Sequence, residues 1–225
     1  MRRPTIGPKV DPMHAVDKVL GPGPDAALTA AARARLTAAF HAQAAPVYYD
    51  VLPDSLLGTV YLAASAHGLL AVGLATEEGR FVRRIAEQVG SRPVRSPLHL
   101  QEARRQLESY LRGERSVLEV EVDLSGVSPF HRAVLEAARR IPRGSVVSYG
   151  EMAKRLHRPR AGRAVGQALA HNPVPILIPC HRVVSADGRL QGYLGDRIGL
   201  KAKLLKLEGV PMAGDRIAVA GGRVS

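Results

Sequence analysis

From Val47 onward the chain passes into short apolar runs interrupted by glycine. Gly58 to Ala64 and Gly68 to Ala75 are two such runs and predict strands of a hairpin-rich sheet. Apolar residues at helical spacing predict helices over Phe81 to Val89 and Leu98 to Leu111. Val117 to Leu124 alternates apolar with acidic residues, as an edge strand does. These elements make one small α/β unit, residues 46–125.

A second unit, residues 126–212, opens at Ser128-Pro129, a helix-start pair, followed by Phe130, Val134, Leu135 and Ala138 at helical spacing. Ile141-Pro-Arg-Gly ends that helix in a turn, and Val146-Val-Ser-Tyr is a brief extended link. Tyr149 to Leu156 and Arg160 to Ala170 predict two short helices joined by a turn around Pro159, the outline of a helix-turn-helix. Asp187-Gly188 is a turn pair, Gly192 to Gly195 a flexible loop with one aromatic, and Leu200, Leu204, Leu205 and Leu207 mark a last helix closed by glycine after Glu208. The fold class is therefore α/β: a small N-terminal sheet-plus-helix domain, then a mostly helical C-terminal domain. Residues 1–45, with Pro4, Pro8, Pro12, Pro22 and Pro24 ahead of an alanine-rich stretch, read as a disordered or partly helical extension, and 213–225 as an untied tail.

Composition sharpens this picture in three ways. The 225 residues, 46% of them hydrophobic, suffice for two small packed domains. The formal net charge of +12 is uneven: residues 1–129 hold 15 Lys+Arg against 14 Asp+Glu, residues 130–225 hold 17 against 6. A basic half beside a neutral one points to a polyanionic partner, because phosphate contacts release counterions and dominate nucleic-acid affinity. No apolar run is long enough to predict a membrane span, and the single cysteine suits a reducing compartment, so the expected location is cytoplasmic, at the nucleoid in a bacterium.

That cysteine, Cys180, lies in the stretch Asn172-Pro-Val-Pro-Ile-Leu-Ile-Pro-Cys-His-Arg182. Pro173, Pro175 and Pro179 each fix a torsion and remove an amide donor, so the stretch cannot be a helix and reads as a stiff buried rail delivering a sulfur beside His181. A free thiol is only about 3% ionised at pH 7, so a working cysteine needs a base or a positive field, and His181 and Arg182 both offer one. One cysteine cannot build a thiolate zinc site, and no metal or cofactor is expected. Lys154, Arg155 and Arg160 decorate the predicted helix pair with positive charge. Ala161, Gly162, Ala164, Gly166 and Ala168 keep the second helix thin enough for its backbone to approach a groove with little base readout.

Asn-Pro-Val-Pro-Ile-Leu-Ile-Pro-Cys-His-Arg-Val-Val closely resembles the active-site segment of the 6-O-alkylguanine-DNA alkyltransferases, the methylated-DNA-protein-cysteine methyltransferases. Ser-Tyr-Gly-Glu-Met-Ala (148–153), Arg-Ala-Val-Gly (163–166), Gly192-Tyr193 and Leu-Glu-Gly (207–209) extend the resemblance over roughly residues 125–210. It implies direct-reversal repair in which Cys180 takes the alkyl group from 6-O-alkylguanine, and also from 4-O-alkylthymine, in double-stranded DNA bound through its minor groove. Each molecule would react once, as a monomer that can act cooperatively on DNA. The resemblance further implies that His181 serves through a water as base, with Glu208 orienting it and Asn172 tying the preceding turn. Tyr149 would donate to the flipped base, Arg163 fill the vacated stack, and Val183, Tyr193, Leu169 and the amide of Leu194 complete the pocket. One departure bears on pocket width: Gly-Tyr-Leu-Gly-Asp-Arg stands where Gly-Tyr-x-Gly-Gly is more usual. A non-enzymatic alkyltransferase-like protein would lack Cys180, a cysteine hydrolase would need an oxyanion motif that the sequence does not offer, and a plain helix-turn-helix regulator would leave the Pro-Cys-His-Arg run unexplained.

Overall fold

The structure, a computed structural model, describes residues 46–214 and 216–218. The expected extension over 1–45 and the end of the expected tail lie outside the described residues. The first unit is built on a four-stranded sheet of order β3-β2-β1-β4: β1 (Tyr48–Ser55), β2 (Gly58–Ser65), β3 (Gly68–Leu74) and β4 (Val94–Arg95). β1 to β3 form an antiparallel meander, and β4 joins β1 in parallel. Helices α1 (Glu78–Val89) and α2 (Pro97–Leu111) match the two predicted segments. Strand β1 is the element that patterning does not single out, because Asp50 and the Pro53-Asp54 break, where the register to β2 shifts, interrupt its apolar run.

The buried run Val60 to Ala63 serves two cores, since successive strand side chains point to opposite faces. Tyr61 and Ala63 pack with Phe81 and Ile85 of α1. Val60 and Leu62 join Leu107 and Tyr110 of α2, and the same cluster continues through Val134, Ile178, Cys180 and Leu204 of the second unit. The two sequence units therefore share one core. Burial of a side chain such as Ile85 contributes about 2 kcal/mol relative to exposure.

The second unit contains α3 (Pro129–Arg139), β5 (Val147–Ser148), α4 (Tyr149–Arg155), α5 (Gly162–Ala170), a 3-10 turn at Cys180–Arg182, β6 (Val183–Val184), α6 (Ile198–Leu207), β7 (Met212–Ala213) and β8 (Arg216–Ile217). Ser148 caps α4 by accepting the Glu151 amide. Gly209, at φ 82°, follows the end of α6 where the sequence predicts a glycine closure.

Three expectations are corrected. Val117 to Leu124 is not a regular edge strand; it makes a single bridge, Leu69 to Val122, against the outer edge of β3. Side chains claim its backbone instead. Gln106 takes the Glu119 amide, Arg139 donates to the Val120 carbonyl, and Arg132 to that of Leu124. Gly68 is required at this crossing, for a Cβ there would stand 2.5 Å from the Glu121 carbonyl oxygen. Second, the tail expected from residue 213 is tied down at its start: Met212–Ala213 pairs with Arg216–Ile217, held by the Ile217 amide on the Gly188 carbonyl and by burial of Ile217. Third, the proline-rich stretch is buried but not a straight rail. It folds back at Ile176, whose φ of 77° is rare for a β-branched residue, and the Ile178 amide closes onto the Val174 carbonyl.

Candidate active site

The bend at Ile176 is held from both sides. The Val72 amide of β3 donates to the Pro173 carbonyl, fixing the stretch to the sheet. Asn172 accepts the Val174 amide (3.1 Å) and donates to the Ile178 carbonyl (2.8 Å), leaving its second amide hydrogen for the Cys180 sulfur at 3.2 Å. The prolines cannot supply these amides, so one buried side chain does the work of several missing backbone bonds. Strand β6 then pairs in parallel with β5, which puts Tyr149, the first residue of α4, beside the cysteine turn.

Cys180 is 7% exposed and its neighbour His181 is fully buried. Burial pushes the thiol up, while the Asn172 hydrogen bond and the charge of Lys201 pull it back down. The resting sulfur is therefore a protonated thiol that must lose its proton to react. His181 Nε2 faces Glu208 Oε1 at 2.5 Å, and its Nδ1 has no partner among the described protein atoms. That arrangement selects the tautomer with the proton on Nε2 and a lone pair on Nδ1. Burial holds the imidazole low, against the raising effect of Glu208, so it rests neutral and able to accept a proton.

Burial alone would also oppose charge on Glu208, yet hydrogen bonds from His181 and Arg182 and the adjacent guanidinium hold its carboxyl well below the usual carboxylate range. With His181 neutral, the compensating cation is Arg182, whose Nε donates to Oε2 (2.8 Å) and Nη2 to Oε1 (3.1 Å). The sequence reading offers Arg182 as a positive field for the sulfur; its guanidinium instead serves the carboxylate, and the cation that stabilises a Cys180 thiolate is Lys201. Lys201 is fully buried on α6, with Nζ donating to the Val183 carbonyl (2.7 Å) and the Gln191 carbonyl (2.9 Å). Burial lowers it to about 8, with Cys180 pulling the other way. Sequence reasoning missed Lys201 and also Tyr110, whose hydroxyl donates to Glu208 Oε1 from α2. The apolar spacing of α6 reads the same whether a lysine at this position points in or out. Tyr110 lies in the other sequence unit.

The remaining predicted positions gather around the sulfur. Tyr149 is half-buried, donates to the Gln191 carbonyl (3.3 Å), and its ring lies between Gly166 and the Lys201 ammonium. Tyr193 is buried edge-on to His181, and its hydroxyl has no partner among the described protein atoms. Burial and the nearby Cys180 both raise the two tyrosines, which keeps them hydrogen-bond donors. Leu169 and Val183 are buried here as well. The carbonyl of Val183, one of the expected pocket residues, is already an acceptor for Lys201, leaving it one lone pair. Leu194 sits at φ 46° between Gly192 and Gly195, also at positive φ, so leucine occupies a left-handed position that glycine would take without strain.

Arg163 and Arg160 are exposed around the start of α5 and form no ion pair among the described residues. Lys154 and Arg155 are exposed too, but each lies 3.6 Å from Glu151 on the preceding turn, which reduces their free charge. The half-buried Ala161 caps α5 with no side chain, and a Cβ at Gly162 would meet nothing. The first turn of α5 therefore presents bare amides beside Arg163, the pattern that suits a phosphate.

A family model described as 6-O-methylguanine DNA methyltransferase, DNA binding domain, matches residues 129–210. The methylated-DNA-protein-cysteine methyltransferase of Methanosarcina acetivorans is 37% identical over 163 residues, 72% of this chain and 99% of that protein. The protein of the same name from Mycobacterium tuberculosis is 39% identical over 162 residues, 72% of this chain and 92% of its own. The crystal structure of a Mycobacterium tuberculosis O6-methylguanine methyltransferase superposes with a TM-score of 0.62 at 36% identity, covering 72% of this chain and 92% of that one. A structure of that organism's protein in complex with DNA gives the same TM-score at 35% identity, with the same coverage.

Proposed function

Because the chain belongs to the methylated-DNA-protein-cysteine methyltransferase family, we propose that it repairs alkylated DNA by moving the alkyl group from 6-O-alkylguanine to Cys180. The observation that carries this reading is the set of contacts around one buried turn, Cys180–Arg182, with Asn172 on the sulfur and Glu208 on both His181 and Arg182. In the proposed step His181 Nδ1 takes the thiol proton through a water, and the sulfur attacks the alkyl carbon. The bond from that carbon to the guanine oxygen breaks, and Tyr149 donates to the leaving base. Lys201 stabilises the thiolate, and Glu208 holds the imidazole upright. Nothing in the site hydrolyses the resulting thioether, so each molecule acts once, and the same chemistry extends to 4-O-alkylthymine.

A base stacked in a duplex is out of reach of a buried sulfur, so the nucleotide must be turned out of the helix. The thin α5, entering the minor groove with Ala161 and Gly166 against the backbone and Arg163 in the vacated stack, is the element suited to that task, with Arg160, Lys154 and Arg155 at phosphates. We place Tyr193, Leu169, Val183 and the Leu194 amide around the extruded base. The protein would bind as a monomer, with cooperative neighbours along the DNA. Among the described residues no helix is long and apolar enough to cross a membrane. The test is stoichiometry: with excess methylated duplex, the protein should remove one lesion per molecule and stop. Continued turnover would contradict the reading. Cys180→Ser should remove none while holding DNA within a few-fold of the wild-type affinity, since it deletes no phosphate contact.

A further inference from the structure

The sheet unit contributes one polar side chain to the buried network behind the sulfur. Tyr110, in the last turn of α2 and 1% exposed, donates its hydroxyl to Glu208 Oε1, the same oxygen that faces His181. Arg182 Nη2 in turn approaches the Tyr110 oxygen at 3.2 Å, and the Arg143 guanidinium lies 5.1 Å from the centre of the tyrosine ring. We infer that Tyr110 is a positioning residue for alkyl transfer, setting how strongly Glu208 draws on the His181 proton. This inference rests on the reading of His181 as the base.

The reasoning is a competition for one oxygen. Oε1 accepts from Tyr110, His181 and Arg182, and each donor spreads the carboxylate charge and weakens the other bonds. A carboxylate relieved of the tyrosine would favour the imidazolium more, making His181 a base that is already protonated over more of the acid range. The other groups facing this pair do not replace the hydroxyl. Lys201 and Arg182 are cations that oppose protonation of His181, Cys180 lies one residue away in the same turn, and Tyr193 presents its ring edge from the loop. Apart from His181 itself, Tyr110 is thus the one uncharged donor seen on Glu208 among the described residues.

The experiment is the pH profile of transfer from free benzylated guanine, which bypasses DNA binding and base flipping, for the wild type and Tyr110→Phe. The acid limb should move to higher pH in the variant. On that limb the rate should fall about tenfold, the equivalent of one pKa unit, while the plateau at high pH changes less than about twofold. Tyr110→Met, which fills the space without the hydroxyl, should move the limb the same way. An equal loss at every pH, or an unmoved profile with only a lowered melting temperature, would overturn the inference. His181→Gln separates the two levels: if the wild-type acid limb survives that change, His181 is not the base, and the inference fails at its premise, not at Tyr110.

Discussion

The two halves of the molecule hold their charges differently. In the sheet unit the ion pairs lie largely at the surface, as Arg105 with Glu102 and Arg112 with Glu108 do along α2. Its buried polar groups, Asp50 and Gln106, are each engaged by structural partners. In the second unit the buried polar groups are Ser148, Asn172, His181, Arg182, Lys201 and Glu208, and five of these surround or stand behind one sulfur. A surface pair is screened by water, whereas a buried one must be satisfied completely or it destabilises the fold. The concentration of buried polar and charged groups therefore sets the surroundings of Cys180 apart from the rest of the core.

The largest contrast should come from removing one acid in each half. Glu208→Gln strips Arg182 of its carboxylate in the interior and should cost about 3–5 kcal/mol in denaturant unfolding, with transfer falling in parallel. Glu108→Gln on α2, a partner in an exposed pair, should cost under about 1 kcal/mol and leave transfer unchanged. Comparable losses for both would erase the distinction between the halves.

Arg163→Ala should divide the second unit itself into a part that handles DNA and a part that handles the alkyl group. An inserted side chain offsets some of the cost of unstacking, so repair of a duplex should slow by at least about tenfold, roughly 1.4 kcal/mol, with reaction of free benzylated guanine barely altered. Equal losses on both substrates would make Arg163 part of the fold or of the thiol site.

Lys201 gives a smaller, pH-dependent effect. Its folded value of about 8 lies below the ordinary lysine value, so the unfolded chain binds the proton more tightly. Holding Lys201 charged then opposes folding below pH 8, and that penalty is relieved as pH rises from about 8 towards the unfolded lysine value near 10. The raised thiol of Cys180 acts with the opposite sign, since the unfolded chain ionises it first. Comparing wild type with Lys201→Met isolates the lysine: stability should rise less steeply with pH in the variant. Identical slopes would mean that Lys201 binds its proton equally in the folded and unfolded chain, so that burial does not lower it.

Much of this molecule is legible in its sequence because local signals suffice for it. Glycine bounds the runs of β2 and β3, Ser128-Pro129 opens α3, and three prolines with a lone cysteine single out the turn at Cys180–Arg182. What was hidden depends on distant partners. The run 117–124 alternates like a strand, but arginines from α3 and Gln106 from α2 take its backbone groups. The pairing of Met212–Ala213 with Arg216–Ile217 is anchored on Gly188, a distant residue in sequence. Tyr110 and Glu208 are 98 residues apart, and nothing in the local pattern of either joins them. The positive φ of Ile176 likewise contradicts its own propensity and persists because Asn172 holds the surrounding backbone.

The central claim is that the Cys180 sulfur is the atom that receives the alkyl group. Peptide mass spectrometry after mixing the protein with one equivalent of duplex containing 6-O-methylguanine tests it directly. The account predicts one added methyl, confined to the peptide that carries Cys180, and an unmodified guanine left in the DNA. An unchanged Cys180 peptide beside repaired DNA, or a lesion left intact at that stoichiometry, would contradict it.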